Sequence, residues 1–336
     1  VSFTPAANVT QTITKTGGET FYILTANVST ATLQLNSDIT ITNTLNMSGH
    51  TFNLNGKTLT IGSGSNATLT ISGVTTTAGF AYGGTIKRYW AAGTSITATG
   101  APYNGLFPIG ISGDYRPVKI ATTVAPTGGG YISVSHTDAP TVTDITYTDN
   151  QGASISRIAD QYSSVTNSGV TGGTYNIDVT FNGFNNPGSA AYSDYRLITY
   201  TSSFPGSAGS NLTPVANSVL NPIARRTGIT ASDLNNDFVC GTINTTNTPI
   251  QQVFYSRTNA PSPTNLNWST SGTWSKNGSA GASCSCTPTA TGYVIISSGT
   301  TVHIDAASSV DKIEIKTGGK LDGTANLTTT NFLFTI

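Results

Sequence analysis

The histidines, carboxylates, cysteines and tryptophans are the residues here that could do chemistry, and their spacing argues mostly against it. His50, His136 and His303 share no H-x-H or H-x-x-x-H spacing, and no cysteine lies near the first two. A zinc site needs about four nitrogen or sulfur ligands brought together. His303 alternates with Val302 and Ile304, which predicts a solvent-facing strand position. Asp233-x-Asn235-x-Asp237 offers oxygens at the first, third and fifth positions of a calcium loop, but Phe238 stands where glycine is needed and Asn244 where glutamate is needed. A polar turn before a strand is the better reading.

Covalent and acid–base catalysis fare no better. The only glutamates are Glu19, in a Gly-Gly-Glu-Thr turn, and Glu314, between Ile313 and Ile315 and flanked by Lys312 and Lys316. Glycoside hydrolysis needs two carboxylates about one cleft, and the aspartates are scattered through turns. No G-x-S-x-G elbow, phosphate-binding glycine loop or C-x-x-C-H haem site occurs. No catalytic residue, cofactor or metal is expected.

Three cysteines, Cys240, Cys284 and Cys286, leave one thiol over in an exported protein. Cys284 and Cys286 share a face if they lie on a strand, and a turn would bring them within disulfide reach. A bridge from Cys240 to one of them is the other possibility, and spacing does not decide. Trp268 and Trp274 flank a Ser/Thr/Gly turn, where they could stack on a glycan. They could instead plug the apolar end of a stacked-strand domain, which must be covered; that need favours the plug.

The elements that must carry these residues are strands. Of 336 residues only 9% are charged, with 15 basic against 15 acidic. An ordinary soluble domain has about 25%. Such a chain lacks the field to draw nucleic acid, and no run approaches the roughly 20 apolar residues that span a bilayer. Thr, Ser, Asn and Gly replace charge and favour strands and turns. Together these features suggest secretion, with any signal peptide removed before Val1. In residues 27–75 apolar pairs recur two apart: Leu33/Leu35, Ile39/Ile41, Leu45/Met47, Phe52/Leu54, Leu59/Ile61 and Leu69/Ile71. Each pair places two side chains on one face, the pattern of stacked short strands.

The expected fold class is all-β: a β-solenoid-like domain over 1–130, a β-sandwich over 131–255, a linker over 256–265 and a C-terminal solenoid-like segment over 266–336. Longer alternating runs such as Tyr175–Phe181 and Tyr195–Tyr200 argue for the sandwich. Prolines in 256–265 argue for the linker. Pairs Val294/Ile296, Val302/Ile304, Ile313/Ile315 and Phe332/Phe334 argue for the last segment.

Three stretches taken together resemble modules of large surface proteins exported by the type IX secretion pathway of gliding-type bacteria. They are Phe107-Pro108-Ile109-Gly110 with Tyr115-Arg116-Pro117-Val118; Asn267-Trp268 through Gly272-Thr273-Trp274 and Cys284-Ser285-Cys286; and Arg157–Tyr162 with Tyr195-Arg196-Leu197. The resemblance implies a secreted or cell-surface protein, adhesive and repetitive, whose sorting domain was removed or lies beyond Ile336.

The termini complete the reading. Val1 and Phe3 at one end, and Phe332, Leu333, Phe334 and Ile336 at the other, are apolar, uncharged and β-prone. An open sheet edge templates pairing with another chain. The expected function is therefore a structural subunit of an extracellular filament or adhesin. It would assemble head-to-tail with copies of itself or with neighbouring modules of a longer chain. A carbohydrate-binding surface module contacting glycans through Trp268 and Trp274 is the alternative, and a polysaccharide-active enzyme is third. Neither nucleic-acid binding nor membrane insertion is expected.

Overall fold

The computed structural model describes the chain except residues 4–9, 27–31, 48–50, 64–69, 73–78, 98–104, 113, 139–142, 182–191, 202–203, 219–220, 246–249, 251, 277, 291 and 335–336. It is all-β, with two short 3-10 turns beside the strands among the described residues. The described residues form two compact units, one ending before Ile250 and one beginning there.

In the first unit the chain begins by alternating between two parallel sheets. One holds Ser2–Phe3, Glu19–Ala26, Ile39–Asn46, Thr58–Ile61 and Thr85–Trp90. The other holds Gln11–Ile13, Leu33–Leu35, Phe52–Asn53, Ala81–Tyr82 and Ile109–Ile111. Glu19 lies beside Ile39 and Ile39 beside Leu59, so successive turns repeat every 20 residues there. Alternation turns one face of every strand inward: Leu33, Leu35, Ile39, Ile41, Leu45, Met47, Phe52, Leu54, Leu59 and Ile61 are all buried. Leu69, expected to continue the series, lies outside the described residues. The corners are tied by stacked polar side chains. Asn36 donates to Thr14 Oγ1 (3.1 Å), Asn55 to Asn36 Oδ1 (3.2 Å) and Asn53 to Gln34 Oε1 (3.3 Å). Asn55 takes φ +50° ahead of Gly56, the left-handed corner that asparagine and glycine tolerate.

Thr85–Trp90 joins two kinds of structure. It pairs parallel with Thr58–Ile61 on one side and antiparallel with Gly130–Asp138 on the other. One 12-stranded sheet therefore continues through Ser154–Ser168, Asn236–Thr242 and Tyr195–Thr201. The boundary expected at residue 130 is crossed by this ladder: strand length changes there, but the sheet does not end. A second, antiparallel sheet of five strands, Leu106–Phe107, Val118–Val124, Thr174–Thr180, Asn221–Thr230 and Ser210–Ser218, completes the sandwich. Trp90 and Tyr175 meet edge-to-face across the core, with centroids 5.9 Å apart. The Gly-Leu-Phe-Pro-Ile-Gly stretch needs both its glycines. A Cβ on Gly105 would stand 2.1 Å from the Ile120 carbonyl, and one on Gly110 2.0 Å from that of Asp114.

The second unit repeats the alternating design. Val253–Ser256, Tyr293–Ile296, Ser308–Ile315 and Leu327–Phe334 pair in parallel, and Leu266–Asn267, Thr301–Ile304 and Lys320–Gly323 form the companion sheet. Val294 lies beside Ile313 and Ile313 beside Phe332, while Thr301 lies beside Lys320; from Tyr293 on, the offset between successive turns is 19 residues. The stretch 256–265 is not a linker. Ser256 is fully buried, its Oγ takes the Ser297 amide (2.7 Å) and lies 2.6 Å from Thr300 Oγ1, and Ala260 belongs to the core. The Pro263 carbonyl accepts the Thr301 amide at 2.9 Å. Prolines that suggested a spacer instead shape a turn of the folded unit.

Candidate functional site

One group of side chains has catalytic residue types within reach of each other. His136 lies opposite Ser163 in the antiparallel ladder of Gly130–Asp138 with Ser154–Ser168, and two residues on, Asp138 shares its face. The Ser163 Oγ is 3.2 Å from His136 Nδ1, and Asp138 Oδ1 is 3.4 Å from Nε2. Arg116, reaching from the Tyr-Arg-Pro-Val stretch, places Nη1 2.9 Å from the same Nε2, bonds Asp138, and sets Nη2 3.4 Å from Asp114.

These are the elements of a serine hydrolase triad, but two features redirect them. Ser163 has no exposed surface, and Asp138 is bonded to Arg116 as well as to the imidazole. A nucleophile must meet its substrate, so this arrangement ties together three segments of the sandwich. Burial holds the His136 imidazole below its usual range; Asp138 opposes that and Arg116 reinforces it. Burial raises Asp138, but His136 and Arg116 outweigh it and hold the carboxylate below its ordinary value.

The sign of the resulting pH dependence follows. A histidine kept neutral by the fold binds fewer protons than in the unfolded chain, so its stabilising contribution is present above the unfolded value of about 6.5 and is lost as pH falls from there through the lower folded value. Asp138 adds to this at lower pH still. Thermal melts at about pH 7.5 and about pH 5 should show a lower Tm in acid, and His136→Gln should show a smaller drop. Equal drops in both proteins would refute the assignment to His136.

Two sheet edges are the other feature. Leu327–Phe334 pairs with Ser308–Ile315 on one side and with no described strand on the other. Along its apolar column, Val294 and Ile313 are fully buried, whereas Phe332 is 47% exposed and Leu333 beside it 46%. In the first unit, Glu19–Ala26 pairs over its length with Ile39–Asn46, but on its outer side Ser2–Phe3 covers only Thr25 and Ala26. Tyr22, Ile23 and Val1 are exposed there. Among the described residues six large apolar side chains are exposed, and these are five of them; Val124 is the sixth. Phe3 and Phe334 lie at these edges by strand position, while Ile336 lies outside the described residues.

Comparison adds no relative. No known family model matches the chain, and no curated protein or solved structure is similar to it at a significant level.

The remaining expected sites resolve individually. Trp268 and Trp274 are not a glycan platform: they are 2% and 0% exposed, meet edge-to-face at 5.0 Å, and Trp274 Nε1 donates to the Trp268 carbonyl at 2.9 Å. They are core residues, which a sugar cannot reach. Cys284 and Cys286 bond to each other across a turn, with Cα atoms 5.1 Å apart. A bridge from Cys240 is thereby excluded; that thiol is fully buried in Asn236–Thr242, and burial raises its pKa, which makes it inert.

Asp233, Asn235 and Asp237 serve separate partners: the Thr230 amide (2.9 Å), the Asn167 amide (2.8 Å) and the Ser164 hydroxyl. Among the described residues no three His, Cys, Asp or Glu groups are placed to hold a metal. Glu19 pairs with Lys15 at 2.8 Å, and Glu314 with Lys316 and the Tyr293 hydroxyl. His303 faces outward between buried Val302 and Ile304, as expected, and bonds Asp322 one turn on. His50 lies outside the described residues.

Proposed function

We propose that this chain is a structural subunit of an extracellular surface filament or adhesin that associates with copies of itself, or with neighbouring modules of a longer chain, through its open sheet edges. The observation that carries the reading is the gathering of exposed apolar side chains on two edge strands, Tyr22 and Ile23 on one, Phe332 and Leu333 on the other. An edge strand presents a row of main-chain donors and acceptors, and natural sheets protect such edges with charge, proline or bulges. Leu327–Phe334 has neither charge nor proline. Contact between two different edges is head-to-tail, and a head-to-tail contact that does not close yields a fibre.

Export is supported by the low charge and by the Cys284–Cys286 bridge, since disulfides persist in oxidising compartments. It is also supported by the resemblance to type IX surface proteins. No helix among the described residues is long and apolar enough to cross a membrane.

Negative-stain electron microscopy and light scattering test the reading. The chain is expected to form concentration-dependent linear assemblies, and Ile23→Lys or Leu333→Lys should each return it to monomers while leaving the thermal melt almost unchanged. A wild-type chain that stays monomeric at high concentration would sink the proposal.

A further inference from the structure

Resting on that self-association, we infer that Leu327–Phe334 of one copy pairs in parallel with Glu19–Ala26 of the next in a single register, Leu327 beside Glu19, and displaces that copy's own Ser2–Phe3.

The register comes from the way each strand meets its core. Both strands are eight residues long. A regular strand would place every second residue inward, but both change phase in the middle. In Glu19–Ala26, the positions beside buried Ile39, Ile41 and Leu45 are Glu19, Phe21 and Leu24, and Ala26 is itself buried. These are the first, third, sixth and eighth positions. In Leu327–Phe334 the same four positions are Leu327, Thr329, Phe332 and Phe334, which lie beside Ser308, Val310, Ile313 and Ile315, the last three being core residues. The phase change falls at one place in both strands. Sliding either strand by one residue would set core positions against solvent positions along the ladder, and sliding by two would do so where the phase changes.

A second layer agrees independently. The same offset that sets Leu327 beside Glu19 sets Leu321 beside Ile13 in the companion sheets. Leu321 packs against the core of the second unit and Ile13 is buried in the first. One register therefore joins both sheets of one copy to both sheets of the next.

Ser2–Phe3 already occupies part of the ledge. It pairs with Thr25 and Ala26, and the Val1 carbonyl accepts the Thr25 amide at 2.9 Å. Glu19–Leu24, the remaining six positions, has no described strand on its outer side. An incoming Leu327–Phe334 gains its first five pairs on open edge; its sixth meets Val1, whose amino group donates to the Ile23 carbonyl at 2.8 Å, and its last two coincide with those of Ser2–Phe3. The resident segment, Val1 with Ser2–Phe3, gives way because it offers three positions against eight.

Cysteine cross-linking reads the register. Adjacent parallel strands lie about 4.8 Å apart, within disulfide range, and a two-residue slip moves a pair to about 8 Å, outside it. Single variants are mixed in pairs under mild oxidation: Thr328→Cys with Thr20→Cys, Thr328→Cys with Tyr22→Cys, Leu333→Cys with Thr25→Cys, and Leu333→Cys with Ser2→Cys. The expected result is cross-linked dimer in the first and third mixtures, at least tenfold over the second and fourth. Cross-linking of Leu333→Cys with Ser2→Cys instead would mean that Ser2–Phe3 stays in place, and would overturn the displacement. Assembly with no product in the first mixture would overturn the register while leaving self-association standing. A chain monomeric by light scattering would end both.

Discussion

Replacing Arg226 by alanine is expected to destabilise the first unit by about 3–5 kcal/mol, read as a fall in the denaturant midpoint. Arg226 has no exposed surface, yet all three nitrogens of its guanidinium donate hydrogen bonds. Nη1 donates to the Leu197 carbonyl at 2.7 Å, Nη2 to Asn150 Oδ1 at 2.7 Å and the Gly209 carbonyl at 3.2 Å, and Nε to the Ala208 carbonyl. Leu197 belongs to the 12-stranded sheet and Arg226 to the five-stranded one, so the side chain fastens the two layers of the sandwich. Truncation strands several buried carbonyls at about 1–3 kcal/mol apiece. It also removes the cation near Asp149, a buried carboxylate with one oxygen bonded to the Gln151 and Ala153 amides and the other without a partner. Arg226→Lys should recover only part of the loss, because an ammonium cannot reproduce the planar fork. A loss under about 1 kcal/mol in the alanine variant would show that water replaces the guanidinium at little cost.

Trp274→Ala should cost the second unit about 3–5 kcal/mol, the usual range for emptying a large buried aromatic site. The side chain is fully buried, packs edge-to-face on Trp268, and shares a cluster with Phe254, Val294, Ile296 and Ile313. A unit this small converts each kcal/mol into about 4–8 °C of Tm, so a loss of this size approaches unfolding. Trp274→Phe keeps most of the apolar volume but loses the bond to the Trp268 carbonyl, and should cost markedly less. Calorimetry of the three proteins gives the comparison. An alanine variant that melts like the wild type would show that the indole is not part of the core.

The same tryptophan marks the limit of what could be read from sequence. A Trp next to Ser, Thr and Gly looks like a surface feature, and its burial is decided by Val294 and Ile313, far along the chain. Apolar pairs such as Leu33/Leu35 and Ile39/Ile41 were legible because each stacked strand carries its own inward face. Ser163 and His136, 27 residues apart, became neighbours only through the register of an antiparallel ladder, which no local motif announces. Residues 256–265 were misread because prolines and small polar residues serve a spacer and a tight turn equally well. The exposed apolar residues of the C-terminal edge were visible in composition. Tyr22 and Ile23 were not, since the first turn of a stack has the same alternation as a buried one and differs only in lacking a neighbour.

The 19-residue offset between the turns from Tyr293 on has a genetic consequence. Any residue from Tyr293 to Ile296 has its counterpart one turn on, in Lys312 to Ile315, at an equivalent place against the core. An unequal crossover between two such counterparts would insert or delete one whole turn and leave the Val294–Ile313–Phe332 column unbroken. Length in this part of the molecule can thus change by duplication in whole steps, with no new core to invent.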